Sequence, residues 1–189
     1  MTKTPVMFML MRITLTTDIT AKRDSWLFSP CLSKYRGNIM DKIKKVVVPV
    51  DFTSTIDKVA NYAASMADMM GAQVIFFHVV NDFRGYDMLL VHPSFSVIKQ
   101  ELKDKTEKKM ADLVQEYQHI KGGVSGKVVI GKAAEEIVTF ANQEKADMII
   151  IGTRGIKGLE EFLMGSTAKQ VVNTASCPVL TFNPFKLNK

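Results

Sequence analysis

Cysteine is nearly absent from this chain. Cys31 and Cys177 are the only two in 189 residues, and they fall in different segments, which excludes a disulfide framework. The scarcity fits a reducing compartment and a cytoplasmic setting, with Cys177 expected as a small buried hydrophobe. Histidine is sparse too. His78, His92 and His119 are scattered, and no Cys/His spacing suits a zinc site. Apolar runs are short, and none approaches the roughly 18 residues that a membrane-spanning helix needs. There is no nucleophile elbow and no Ser/His/Asp spacing, so no catalytic residue is assigned.

Charge is unevenly placed. The net charge is +6. Residues 1–40 carry Lys3, Arg12, Lys22, Arg23, Lys34 and Arg36 against Asp18 and Asp24, six minus two, or +4. The remainder is therefore only +2, and aromatics are not interleaved with its basic residues. Nucleic-acid binding is disfavoured for it. The leading segment shows no sustained period, and its apolar stretch from Val6 to Met11 is too short and poorly flanked for a signal peptide. The expectation is a weakly ordered extension over 1–40 and a single domain over 41–189. A second start at Met40, directly before the first apolar run, suggests that the extension reflects start-codon assignment. Mass spectrometry finding a native N-terminus at Met1 would sink that idea.

What is present from Lys42 onward is alternation. Lys44 to Val50 is a β-branched run of the kind buried on both faces of a sheet. Thr53 and Ser54 then offer helix N-caps, with Asp57 near the positive helix end. Val59, Ala63, Met66 and Met70 form one apolar helical face, and Gly71 is placed to end it. Ala72 to Val80 is a second strand. A loop with Gly85 and Pro93 leads to a long charged helix over about 96–118, broken by Gly122-Gly123. Lys127 to Ile130 is a third strand. Ala134, Ile137, Val138 and Ala141 mark a third helix face, and Met148 to Ile151 a fourth strand. Ala168, Val171, Val172 and Ala175 mark a fourth helix, and Val179 to Phe182 a last strand. Such β-α alternation predicts an α/β fold: a doubly wound, five-stranded parallel sheet with helices on both faces.

In such sheets ligands bind beyond the carboxyl ends of the strands. The residues there are Asp51, then Val80 and Asn81, then Gly152-Thr153-Arg154-Gly155. Gly152 and Gly155 let backbone N–H groups approach an anion. Gly165-Ser166-Thr167 then opens a helix, whose first N–H groups and partial positive charge suit phosphate. Ser166 and Thr167 add hydroxyls, and Arg154 and Lys157 add charge. Two anion-friendly elements close in sequence suit a chain of phosphates. Asp51 has two readings: an acceptor for an adenine amine or ribose hydroxyls, or a cap for the following helix. His78, inside an apolar strand, is expected to be a satisfied structural histidine. Gly126 to Lys132 has the skeleton of a P-loop, but its middle residues form a strand and Ala133 stands where the magnesium-binding hydroxyl would be.

These residues resemble the universal stress protein family. Its signature of glycine, two residues, glycine, nine residues, glycine and Ser/Thr stands here as Gly152-x2-Gly155-x9-Gly165-Ser166. Val46 to Asp51, Phe77 to Val80, Gly131 to Ile137 and Cys177 to Leu180 also match, so that the likeness covers about 42–183. The resemblance implies strand order 3-2-1-4-5, an adenine nucleotide alpha hydrolase-like fold, and a homodimer. An unpaired apolar edge strand at 179–182 gives the dimer a physical motive. It also implies ATP binding of the regulatory type, with at most slow hydrolysis. By resemblance, Pro49, Val50 and Asp51 face the nucleoside, with the Val79 backbone at the adenine. Gly152, Thr153, Arg154 and Gly155 follow the ribose and phosphates. Gly165, Ser166 and Thr167 hold the phosphate tail, where magnesium or manganese would bridge. Ala168 departs from relatives with a further hydroxyl, which is expected to weaken phosphate or metal contacts without abolishing binding. A true ATPase or phosphotransferase of the same fold is the alternative, and nucleic-acid association through the basic extension a weaker one.

Overall fold

The computed structural model describes residues 43–81, 94–153 and 164–185. Their elements run β1 (Lys45–Pro49), α1 (Ile56–Met70), β2 (Gln73–Asn81), α2 (Ser94–Glu116), β3 (Val124–Gly131), α3 (Ala133–Gln143), β4 (Met148–Gly152), α4 (Ser166–Thr174) and β5 (Val179–Phe182). The five strands form one sheet in the order β3-β2-β1-β4-β5, and every pair is parallel. The order expected from the family likeness is the order found.

The central strands are apolar on both sides because helices cover both faces. Val46, Val48, Val74, Phe76 and Ile150 point toward α1 and α2, where they meet Val59, Ala60, Ala63, Met110 and Leu113. Val47, Ile75, Phe77, Ile149 and Ile151 point the other way, onto Ala134, Ile137 and Ala141 of α3 and Ala168 and Val171 of α4. The small alanines on the helices let them lie close to the branched side chains of the strands. Gly71 ends α1 at φ 61°, a left-handed angle that glycine adopts without a Cβ penalty.

Three local readings shift. The N-cap position of α1 is Thr55, which makes no side-chain capping bond, rather than Thr53 or Ser54. Thr53 supports the helix through its backbone, its carbonyl accepting from Ile56 N–H at 3.0 Å. Strand β3 begins at Val124, three residues before the apolar run, because Ser125 and Gly126 pair with Ile75 and Phe76 at a sheet edge where no apolar side chain is demanded. Cys177 is half-buried rather than buried.

At the amino edge of the sheet, Asp147 ties β1 to β4. It is only 7% exposed. Its Oδ2 accepts from Lys44 N–H at 2.9 Å and from Lys45 N–H at 3.0 Å. Its own N–H donates to the Lys45 carbonyl at 2.9 Å. The Lys45 ammonium closes the same corner on the Glu144 carbonyl at 3.0 Å and carboxylate at 2.9 Å.

Candidate functional site

At the opposite, carboxyl edge the central strands separate. β1 pairs with β4 at Val46–Met148 and Val47–Ile149, whereas it continues beside β2 as far as Pro49–Phe77. β4 leans the other way and stays with β5 out to Gly152–Phe182. Strand order reverses between β1 and β4, so a crevice opens where an α/β sheet ordinarily takes its ligand.

One wall is the start of α4. Thr153 N–H donates to the Phe182 carbonyl at 2.8 Å, which fixes the exit of β4. Gly165 N–H then donates to the Thr153 carbonyl at 2.8 Å, which sets the helix start beside that exit. Gly165 has φ −57° and ψ 149°, angles open to any residue, so its value here is its size. A Cβ at this position would stand 3.1 Å from the Thr153 carbonyl. The first bond within α4 runs from Lys169 N–H to the Gly165 carbonyl at 2.9 Å. The N–H groups of Ser166, Thr167 and Ala168 precede it, and the N-cap residue, Gly165, has no side chain with which to cap them. Three donors at the positive end of a helix dipole suit an anion. Gly165 and Ser166 are exposed and Thr167 is half-buried. Ala168 is 3% exposed, with its methyl packed among the α3 and α4 core residues. A hydroxyl missing from position 168 therefore changes packing, while the backbone N–H remains. Arg154, Gly155 and Lys157 lie outside the described residues.

The other wall is the turn from β1 into α1. Pro49 is half-buried and Val50 buried. Asp51 is exposed, and its Oδ1 accepts from Thr53 N–H at 3.0 Å and from the Thr53 hydroxyl at 2.7 Å. That is an Asx-type turn. The carboxylate thus shapes the turn ahead of α1 rather than capping the helix itself. Phe52, between them, has φ 53°, a left-handed angle that is costly for a bulky side chain.

Behind this turn stands β2, which runs on past the end of β1. Val79 is half-buried, level with Val129 of β3. His78 Nδ1 lies 2.7 Å from the Val50 carbonyl. A carbonyl only accepts, so Nδ1 carries the proton. The imidazole packs at 5.0 Å between centroids against Phe52. Burial lowers the His78 pKa, opposed by the bond to Val50 and by the charge of Asp51, while Lys109 lowers it slightly further. His78 is thus a satisfied histidine, as its apolar strand suggests.

The fold brings Pro49, Val50, Asp51, Gly152, Thr153, Gly165, Ser166 and Thr167 to this one edge, and Val79 borders it. Two further residues belong to the same corner: Phe52, which no motif singles out, and Thr53, read from sequence only as a helix cap. The signal that could have found Thr53 is its spacing from Asp51, an Asp-x-Thr turn. The backbone angle of Phe52 has no sequence signature. Chemically, the edge pairs the N–H donors at the start of α4 with a turn that carries the Asp51 carboxylate, which suits a ligand that is anionic at one end only.

The sequence profile described as the Universal stress protein family matches residues 42–183. A universal stress protein of Methanocaldococcus jannaschii, MJ0531, is 33% identical over 137 residues, covering 72% of this chain and 80% of that one. A second from that organism, MJ0577, is 29% identical over 150 residues. The solved structure of MJ0577 superposes with a TM-score of 0.65 at 28% identity, over 78% of this chain and 99% of the other. Universal stress protein UspA from Lactobacillus plantarum shares the fold at a TM-score of 0.63 and 22% identity, over 75% and 98%.

Proposed function

The chain belongs to the universal stress protein family, and from that premise we propose that it binds ATP at the carboxyl edge of its sheet and works as a dimeric regulatory protein of the cytoplasm. The observation that carries this reading is the glycine-capped start of α4, three N–H donors beside the crevice between β1 and β4. The unbroken glycine spacing from Gly152 to Ser166 supports ATP over a single carboxylate. In this reading Gly165, Ser166 and Thr167 hold the phosphate tail, and Gly152, Thr153, Arg154 and Gly155 follow ribose and phosphates. Pro49, Val50 and Asp51 face the nucleoside, and the Val79 backbone meets the adenine.

Among the described residues no three carboxylate, histidine or cysteine side chains converge. A magnesium or manganese ion would therefore be held chiefly by the phosphates, with the Ser166 and Thr167 hydroxyls within the same corner, and would neutralise phosphate charge. Hydrolysis is expected to be slow at most. Among the described residues, the acid–base side chains Asp51 and His78 at this edge are each tied by hydrogen bonds to the β1–α1 turn. The nucleotide's role in this reading is to alter shape or partner choice.

The test is direct. Purified protein is assayed by chromatography for co-purifying adenine nucleotide and by calorimetry for added ATP. Finding neither would remove the proposal. The dimer is proposed through β5. The Pro178 and Phe182 carbonyls face β4, so by alternation Val179 and Thr181 turn their N–H groups outward. Thr181→Pro removes one outward donor and keeps the β4 ladder. It is expected to shift the protein from dimer to monomer in light scattering, and an unchanged mass would count against this interface.

A further inference from the structure

The carboxyl end of β2 holds a hydrogen-bond arrangement that the nucleotide reading does not explain. In a parallel ladder the N–H and C=O of one residue point to the same side, and successive residues alternate. Gln73 N–H donates to the Lys44 carbonyl at 2.8 Å, and the Phe77 carbonyl accepts from Val50 N–H at 2.9 Å. Odd-numbered residues of β2 therefore face β1. The next rung in this series would run from Val79 N–H to the Val50 carbonyl. Strand pairing stops at Pro49–Phe77 instead, and the Val50 carbonyl receives His78 Nδ1–H at 2.7 Å.

The turn geometry explains how a side chain takes that place. Extended backbone at residues 51 and 52 would carry β1 along β2. Phe52 at φ 53° bends the chain away, and the Asp51–Thr53 turn holds the bend. The Phe52 ring then lies against the imidazole. Among the described residues, the charged groups facing this pair are Asp51, from the turn, and Lys109 of α2, whose ammonium stands 6.0 Å from the Phe52 ring centre.

We infer that His78 is a positioning residue: by capturing the Val50 carbonyl it keeps the sheet from closing one rung further, and so leaves the Val79 backbone turned toward the crevice for a planar, hydrogen-bonding base. The inference rests on the nucleotide reading above for its ligand, but its structural half stands on the ladder alone. His78 acts through Val50 and Val79 and need not touch the ligand.

Amide hydrogen exchange, followed by NMR on the full chain, tests the structural half. In the wild type the Val79 amide should exchange much faster than the Phe77 amide. In His78→Leu, which fills the space without a donor, the rung closes and Val79 becomes protected. The ligand half uses two probes, adenosine and inorganic tripolyphosphate. His78→Leu is expected to weaken adenosine about tenfold, the size of one lost hydrogen bond, and to leave tripolyphosphate unchanged, since the start of α4 is untouched. His78→Asn keeps an N–H donor near the Nδ1 position and should restore both adenosine binding and fast exchange at Val79. The inference is overturned if Val79 is already as protected as Phe77 in the wild type. It also falls if His78→Leu weakens both probes alike, or neither. If the wild type binds neither probe, the nucleotide reading fails, and the exchange of Val79 in His78→Leu still decides the positioning claim.

Discussion

At the amino edge of the sheet one buried carboxylate gathers β1 and β4. At the carboxyl edge the same two strands part, and backbone groups are left facing a crevice. Asp147 takes two backbone N–H groups on one oxygen, and Lys45 and Glu144 close the corner around it. Around Gly165 the reverse holds: Ser166, Thr167 and Ala168 begin a helix whose N-cap residue has no side chain to take their N–H groups. Both edges belong to the same strands, so their difference lies in the connections. The amino edge satisfies its polar groups internally and gives stability. The carboxyl edge, in the proposed reading, leaves that satisfaction to a ligand.

The contrast can be broken at either end. The largest effect is expected from Gly165→Val. A Cβ there already stands 3.1 Å from the Thr153 carbonyl, so a branched side chain displaces the start of α4. Calorimetry should show ATP affinity falling on the order of 100-fold, the equivalent of one or two charge-assisted hydrogen bonds, with the circular dichroism spectrum kept. Retained affinity would mean that the phosphates lie elsewhere. Asp147→Ala comes next and acts at the other end. It strands the Lys44 and Lys45 N–H groups and should cost about 2–4 kcal/mol of stability in urea unfolding. ATP affinity should hold wherever the variant is folded. A loss of affinity matching the loss of stability would dissolve the distinction between the edges.

The smallest effect concerns pH. Burial holds the folded-state pKa of His78 below the usual 6.5. The neutral ring is therefore favoured by folding. This contribution is fully present above pH 6.5 and is lost as pH falls through the lowered folded value. The urea midpoint should drop across that window in the wild type and drop less in His78→Asn. Equal slopes in the two proteins would place the acid sensitivity on other groups.

Much of the architecture was legible because it rests on short-range signals. β-branched runs marked β1, β2, β4 and β5, and apolar spacing marked the faces of α1, α3 and α4. Gly71 stopped α1 where a left-handed residue was needed. The anion-friendly start of α4 was legible for the same reason, since Gly165, Ser166 and Thr167 are consecutive. What escaped notice depends on contacts distant in sequence or on backbone angles. Asp147 reaches Lys44 across 103 residues, and nothing in the local sequence announces it. His78 could be read as satisfied, but its partner, the Val50 carbonyl, is 28 residues away. The start of β3 was missed because an edge strand need not be apolar at Ser125 and Gly126. The expected roles of Arg154 and Gly155 fall on residues outside the described set.

The Asp147 clamp also has a kinetic meaning. A contact that joins residues about a hundred positions apart forms only after the chain between them has been gathered, so it belongs late on the folding route. β1, β2 and β3 are neighbours in sequence and in the sheet, and can assemble before β4 arrives. The crevice between β1 and β4 does not exist until that arrival. A ligand of this crevice is therefore expected to act as a brake on unfolding rather than as a template for folding. In rate measurements Asp147→Ala should speed unfolding and leave refolding nearly unchanged. A matching slowdown in refolding would instead put the union of β1 and β4 at the beginning.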